Sequence, residues 1–408
     1  MNKKVHTNNL SDVLSRGVSE VIVKSELIDI LKNQSSLRIK MGFDPSSPDL
    51  HLGHAVGLRK LRQLQELGHT IVVIVGDWTA QIGDPSGRSS TRPTLTKEEV
   101  EKNSETYLNQ FFKIVDPENT EIRHQSEWFN DFRLSDIVNL TSRFTVAQFL
   151  AREDFNNRMK INKPIALTEF LYPLLQAYDS VITKADIEIG GVDQKFNLLV
   201  GRDLQSMLGQ KPQNLIMVPL LVGTDGHHKM SKSLNNAIGL TDHPNDIYGK
   251  IMSLSDESII PYLTTLTDIA FETINEMNNS IKEETTNPME IKKILAKEIV
   301  TNFYSSDKAK HAEIHFEQTI QKKSIPQKTK VFTLSSSLID EKYRLTNLLV
   351  TVSLASSISA SKRLLKQGSI KINGQKITEN LLVSSIKSQS IIQIGSKNSV
   401  ELNINHKK

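Results

Sequence analysis

The sequence predicts an α/β body built on a parallel sheet, then a helical segment, then a small basic α+β module. Three observations carry that reading. Strand, helix and strand signals alternate near the N-terminus, residues 246–321 hold Glu, Lys and Ile at helical spacing with few strand signals, and the C-terminal stretch is basic yet keeps apolar periodicity.

Taken in order, residues 37–43 read as a short strand ending in Gly42-Phe43-Asp44-Pro45, followed by a turn rich in Ser and Pro. Ala55, Leu58, Leu61, Leu64 and Leu67 then recur every third residue as a helical stripe, and Gly68 is placed to stop that helix. Residues 70–75 are a continuous β-branched run, the mark of a buried strand. The spacing is that of a βαβ unit, which puts ligands at the carboxyl ends of parallel strands. Further along, 169–178 reads as a helix, 186–189 as a strand broken by Gly190-Gly191, 194–208 as a helix and 215–222 as a strand. The α/β body closes near Gly226, and 322–330, with Pro326 among polar and basic residues, marks a linker.

Length and composition narrow the function classes. The 408 residues suggest two or three domains, and 38% apolar with 24% charged residues fits a globular protein. No apolar run is long enough to span a membrane, and the first 17 residues lack the apolar core of a signal peptide. Without cysteine, disulfides, thiolate catalysis and Cys-ligated zinc are excluded, which permits a cytoplasmic location. The eleven His show no HExxH spacing, and His227-His228 read as solvated, so no metal ligands are assigned. Net charge is only +4, but residues 344–408 hold ten Lys and Arg against two Asp and Glu, so the tail is strongly positive and the body mildly negative. That asymmetry suggests an appended binder of a polyanion.

Two short motifs carry phosphate chemistry. In His51-Leu52-Gly53-His54, Asp49 is placed to cap the following helix, so both imidazoles fall in its first turn beside unpaired N–H groups, an anion-binding arrangement. Gly53 between them lets a nucleotide approach the backbone. Lys229-Met230-Ser231-Lys232-Ser233 sets two Lys three apart on a loop after Gly223-Thr224-Asp225-Gly226. Such a loop can close its cations over a pyrophosphate as charge shifts onto it.

Together these motifs resemble the class I aminoacyl-tRNA synthetases. Three further segments resemble, more narrowly, the bacterial tyrosyl-tRNA synthetases: Gly42-Phe43-Asp44-Pro45-Ser46, Gly83-Asp84-Pro85-Ser86-Gly87-Arg88, and the run from Tyr172 through Gln176 and Asp179 to Gly190-Gly191-Val192-Asp193-Gln194. The resemblance covers nearly the whole chain. It implies a Rossmann-like catalytic domain over 1–226, the KMSKS loop with an α-helical anticodon-side domain over 227–321, a linker over 322–342 and an S4-like RNA-binding domain over 343–408. It also implies activation of tyrosine by ATP, accompanied by Mg²⁺, transfer to tRNA(Tyr), and a homodimer. The site residues implied for ATP are Gly42, Asp44, Ser46, His51, Gly53, His54, Gly191, Asp193, Lys229, Met230 and Lys232. Arg88 and Arg92 join His51, His54, Lys229 and Lys232 in the catalytic set, reaching the pyrophosphate. Tyr172, Gln176 and Asp84 receive the tyrosine ammonium, Asp179 accepts from the phenol, and Gln194 helps hold the amino acid. Many members carry Tyr two residues before the Gly of GFDP. Here Lys40 stands there, able to donate to the phenol oxygen or to pair with Asp179. A tryptophan enzyme of similar fold and a non-catalytic RNA-binding relative are the competing readings; an indole offers one N–H and no acceptor, and a non-catalytic relative would have shed the phosphate residues.

The C-terminal residues resemble the S4 RNA-binding module. Ser361 to Gly368 is a basic helix closed by glycine, and Asn373-Gly374 between short strands signals a hairpin. Lys362, Arg363, Lys366 and Lys371 are the RNA-binding candidates, and the lack of stacking aromatics points to backbone and shape recognition.

Overall fold

The computed structural model describes residues 10–34, 36–46, 48–86, 96–321, 330–335, 343–394 and 398–405. The chain divides into two compact units, Met1–Ala312 and Glu313–Lys408.

The first unit is organised by a six-stranded sheet. Its strands are β1 (Glu20–Ile22), β2 (Arg38–Phe43), β3 (Thr70–Val75), β4 (Thr120–His124), β5 (Ile187–Gly191) and β6 (Asn214–Val218), in the spatial order β1-β6-β5-β2-β3-β4. β2 runs parallel to both β3 and β5, β3 to β4, and β5 to β6; only β1, on the edge, is antiparallel. After the edge strand β1 the parallel part begins in the middle at β2, winds outward through β3 and β4, then returns to β5 on the other side. The order therefore reverses between β2 and β5, and a crevice opens at their carboxyl ends.

The helices that shape this crevice are α1 (Leu52–Glu66), α2 (Lys97–Phe111), α3 (Leu167–Thr183) and α4 (Lys195–Met207). The apolar stripe of α1 is buried through Ala55, Leu58, Leu61 and Leu64. At its end Gly68 takes φ +95°, its N–H bonds Gln65 O and the His69 N–H bonds Leu64 O, a paired C-terminal cap that needs glycine's left-handed conformation. Thr96 and Glu99 form a reciprocal capping box at the start of α2.

Several expectations are corrected. Gly190-Gly191 does not break β5 but continues it, paired with Met217 and Val218. The lack of side chains there admits close neighbours: a Cβ on Gly190 would lie 3.0 Å from Leu198 Cδ1. β6 stops at Val218, before Pro219, which lacks the N–H a sheet partner needs. The helix expected over 169–178 runs from Leu167 to Thr183. The division expected at 226/227 is not a break in packing. Backbone bonds from Leu52 N to Ile238 O and from Leu240 N to Leu50 O stitch the later segment to the start of α1. The expected helical stretch is present as α5 (Pro244–Met252), α6 (Ile259–Leu266), α7 (Phe271–Lys282), α8 (Pro288–Phe303) and α9 (Ser306–Phe316).

The second unit contains β7 (Lys330–Ser335), α10 (Leu345–Thr351), α11 (Ile358–Lys366), β8 (Ile370–Ile372), β9 (Gln375–Ile377), β10 (Ser390–Ile394) and β11 (Asn398–Asn405), with sheet order β7-β11-β10-β8-β9. Leu348, Leu365, Ile370, Ile392 and Leu402 form its core. The linker expected over 322–342 is corrected here. Its residues 330–335 are a strand, parallel to β11, that contributes Leu334 to the core. The alternation of Phe332 and Leu334 with polar residues is the strand signal that the polar composition around it concealed. The expected hairpin joins β8 to β9, with Asn373 and Gly374 both at positive φ.

Candidate active site

At the reversal between β2 and β5 lies a cavity of about 220 Å³, walled by the ends of both strands and by α3. Gly42, near the end of β2, and Asp44, just after it, line the cavity, and Asp84, Tyr172, Gln176, Asp179 and Gln194 reach it from other segments. Asp179, on α3, is 2% exposed. Its Oδ2 accepts from Gln125 Nε2 at 2.8 Å, while its Oδ1 is buried with no hydrogen-bond partner. Burial pushes its carboxyl up to about 7. Lys40 and the Gln125 bond act against that rise, and Glu188 and Asp44 add to it.

Other lining residues form a set of tied acceptors. Asp44 accepts from the Tyr172 hydroxyl at 2.8 Å and from the Thr79 hydroxyl at 2.6 Å. Burial, then the Asp44 charge, holds the Tyr172 phenol well above its ordinary range. Asp84 accepts from Gln194 Nε2 at 2.6 Å and from Ser86 N at 2.8 Å, and Asn197 donates to Gln194 Oε1 at 2.9 Å. Carboxylates and amide oxygens held in this way suit an ammonium group.

A second opening of about 460 Å³ shares Met41, His54, Gly191 and Gln194 with the first. Ser46, His51, Gly53, Asp193, Lys229, Met230 and Lys232 line it. The residue capping α1 is His51 itself, not Asp49 as expected. The His51 N–H donates to His54 Nδ1 at 3.2 Å, so a neutral His54 carries its proton on Nε2, as a donor. The rings lie 3.9 Å apart. Burial, then neighbouring positive charge, lowers both imidazoles, His54 to about 4 and His51 to about 2. They are neutral donors and acceptors at physiological pH, not cations. A Cβ on Gly53 would lie 2.9 Å from His51 Nδ1, so glycine there first makes room for the imidazole.

Asp49 takes a different part. It accepts from Lys232 Nζ at 2.7 Å, and Asp193, expected among the ATP residues, accepts from Lys229 Nζ at 2.8 Å. Asn236 organises the loop between them, accepting from Ser231 N and donating to Asp225 and to Lys229 O. Met230 is buried and anchors the loop centre through Met230 N to Leu221 O at 2.7 Å. Arg88 and Arg92 lie outside the described residues.

Gly42 and Asp44, expected among the ATP residues, line the smaller cavity, which adjoins the second opening through Met41, His54, Gly191 and Gln194. One expected assignment changes. Lys40, expected at the phenol, does not line the cavity and is fully buried. Its Nζ donates to Gln176 O at 3.0 Å, Ser180 Oγ at 2.8 Å and Glu188 Oε1 at 2.9 Å, so all three ammonium protons are taken, and its ion pair is with Glu188, not Asp179. Gln125, Thr79, Glu188 and Asn236 were missed. Gln125 was the one most open to discovery, since it directly follows the carboxyl end of a parallel strand.

In the second unit, Lys362, Arg363 and Lys366 are exposed on α11, and Lys371 is half-buried on β8. Lys376 on β9, not among the expected residues, is exposed, and its side chain runs close against Gly368.

A reversed parallel sheet with paired imidazoles at a helix start, facing a loop with two Lys, defines a nucleotide-dependent synthetase of class I. Residues 32–321 match the tRNA synthetases class I (W and Y), and residues 344–385 match the S4 domain. The chain belongs to that synthetase family. It is 52% identical over 390 residues, 96% of this chain and 97% of the other, to the tyrosine–tRNA ligase of Dehalococcoides mccartyi. It is 48% identical over 385 residues, 94% of this chain and 95% of the other, to the tyrosine–tRNA ligase of Thermotoga maritima. The tyrosyl-tRNA synthetase of Archaeoglobus fulgidus, solved with L-tyrosine, shares the fold with a TM-score of 0.61 at 22% identity, covering 74% of this chain and 98% of that one. The tryptophanyl-tRNA synthetase of Plasmodium falciparum shares it too, with a TM-score of 0.55 at 18% identity over 71% of this chain and 80% of that one. The fold alone therefore does not choose the amino acid.

Proposed function

We propose that this chain is a cytoplasmic tyrosine–tRNA ligase, which joins tyrosine to ATP as tyrosyl-adenylate with release of pyrophosphate and then transfers tyrosine to the 3′ end of tRNA(Tyr). The observation that carries the choice of tyrosine is the unpartnered Asp179 Oδ1, buried in the lining of a cavity that also presents acceptors for an ammonium group. A phenol hydroxyl satisfies that oxygen; phenylalanine leaves it buried and unpaired. The naming of the curated relatives agrees.

Activation is in-line attack of the tyrosine carboxylate on the α-phosphorus of ATP, with the carboxylate already ionised and no general base needed. The chain contributes positioning and charge. Asp84, Tyr172 and Gln176 hold the ammonium end. His54 Nε2–H and His51, being neutral, offer hydrogen bonds to phosphate oxygens. Lys229 and Lys232 exchange Asp193 and Asp49 for the leaving pyrophosphate as its charge grows, which favours the transition state over the ground state. Arg88 and Arg92 complete the pyrophosphate set. Mg²⁺ would accompany the ATP phosphates. Among the described residues no group of three or more His, Asp and Glu is placed to hold a metal, so no residue is assigned to the ion.

The exposed cations of α11 and the half-buried Lys371 of β8 suit the tRNA backbone. The resemblance to the family supports a homodimer. No helix among the described residues is long and apolar enough to cross a membrane.

ATP–pyrophosphate exchange with tyrosine, phenylalanine and tryptophan tests the proposal. Exchange with tyrosine alone is expected. Exchange with tryptophan alone would overturn the choice of amino acid, and exchange with none would overturn the enzyme reading.

A further inference from the structure

We propose that the buried Lys40–Glu188 ion pair is the positioning element of the hydroxyl-reading end of the cavity, and that selectivity for tyrosine in this chain is set through it rather than by direct contact from β2. The proposal rests on the tyrosine reading above.

Lys40 and Glu188 face each other directly across the parallel β2–β5 pair. From there Lys40 grips one turn of α3. It bonds the Gln176 carbonyl and the Ser180 hydroxyl, four residues apart, and Asp179 lies between them. Glu188 holds the same turn from the other side: Oε1 accepts from Gln176 Nε2 at 3.3 Å, and Oε2 accepts from Ser180 Oγ at 3.1 Å and from Gln213 Nε2. The two substrate-facing side chains of this turn, Gln176 and Asp179, are thus placed by a pair whose own polar atoms are already engaged. Neither Lys40 nor Glu188 has a donor or acceptor to spare for a phenol, so they act through the residues that do.

Charge reinforces the geometry. The groups around Asp179 are Lys40 from β2, Glu188 from β5, Asp44 just after β2, the Tyr172 phenol on α3 and the neutral Gln125 amide after β4. Lys40 is the sole cation among them and favours the ionised carboxylate that accepts from a hydroxyl. Stability alone does not require such a pair, because a buried ion pair can often be replaced by neutral groups of similar volume without loss. What a neutral replacement cannot supply is the anchored turn and the cation beside Asp179.

The test is the full-length double variant Lys40→Met with Glu188→Gln, which removes both charges together and avoids stranding either one. Lys40→Met and Glu188→Gln singly serve as companions, and circular dichroism melting establishes folding. The readouts are tyrosine KM and kcat in pyrophosphate exchange, the tyrosine-to-phenylalanine ratio of kcat/KM, and the pH midpoint of tyrosine binding. A folded double variant is expected to raise tyrosine KM about tenfold, cut the selectivity ratio by about tenfold and shift the binding midpoint upward, with ATP KM unchanged. Folded protein with unchanged tyrosine KM, selectivity and midpoint would overturn the proposal while leaving the tyrosine reading intact. If the double variant fails to fold, whichever single variant folds decides, on the same three readouts. If none folds, the pair is structural and the proposal falls. Native protein that exchanges no tyrosine would instead sink the reading on which the proposal rests.

Discussion

Tyrosine binding should depend on pH through Asp179, and the size of the dependence follows from its surroundings. Burial raises this carboxyl to about 7, so it changes protonation state across the neutral range. Only the ionised form offers Oδ1 as a full acceptor to the phenol hydroxyl. About a tenth of the carboxyls are ionised at pH 6 and about nine tenths at pH 8, so tyrosine affinity should rise about tenfold between them, ~1.4 kcal/mol. Lys60 also falls to about 7, but it bonds the Val13 and Arg16 carbonyls and lies outside the cavity. Asp179→Asn isolates the effect, because it removes the titration while keeping the shape. Equilibrium dialysis or calorimetry with tyrosine from pH 5.5 to 8.5 measures it. The native protein should bind more tightly as pH rises, and Asp179→Asn should bind weakly at every pH. A flat native profile, or a slope that survives the substitution, would refute the reasoning. The stability consequence has the opposite sign. The folded carboxyl holds its proton more tightly than the unfolded chain, where the value is near 3.9, so stability is lost as pH rises from about 4 through about 7. Asp179→Asn should therefore raise the melting temperature of the free protein progressively over that window, even as it loses tyrosine affinity.

Lys232→Ala should lower the rate of adenylate formation about a hundredfold or more while changing tyrosine Kd less than twofold, read by pre-steady-state kinetics; equal losses would contradict a role in the transition state. His54→Ala should slow pyrophosphate exchange by about ten- to a hundredfold, since it removes a preorganised donor. With His54 at about 4 and His51 lower still, the kcat of native exchange at saturating tyrosine should show no step from these imidazoles between pH 5.5 and 7.5, and a step lost in that variant would refute their neutral state. Ending the chain after residue 321 should leave exchange within about twofold, because the second unit has its own core, while tRNA charging falls sharply.

Much of the fold was legible because it rests on local patterns. The every-third-residue stripe of α1, the β-branched run of β3 and the Asn-Gly hairpin each state their structure within a few residues. β7 was concealed by polar neighbours, and the edge strand β1 was too short to show any period. The candidate site divided in the same way. His51, His54, Lys229 and Lys232 stood out because phosphate chemistry repeats fixed spacings in the chain. Gln125 and Glu188 did not, since each matters for a partner it meets far away in sequence, Asp179 and Lys40; Asn236, bonded within its own loop, lies where no helical or strand period marks it.

The sequence by itself determined the reaction class, the parallel sheet and the candidate residues for phosphate and ammonium, because motif spacing and periodicity are encoded along the chain. Only the tertiary structure decided what Lys40 does. Its position suggested a phenol contact, yet its neighbours are Gln176, Ser180 and Glu188, which fill all three of its donors. Whether a buried cation touches substrate or holds the residues that do is settled by which acceptors folding brings within about 3 Å of it, and that depends on the pairing of β2 with β5 rather than on any pattern in β2 itself.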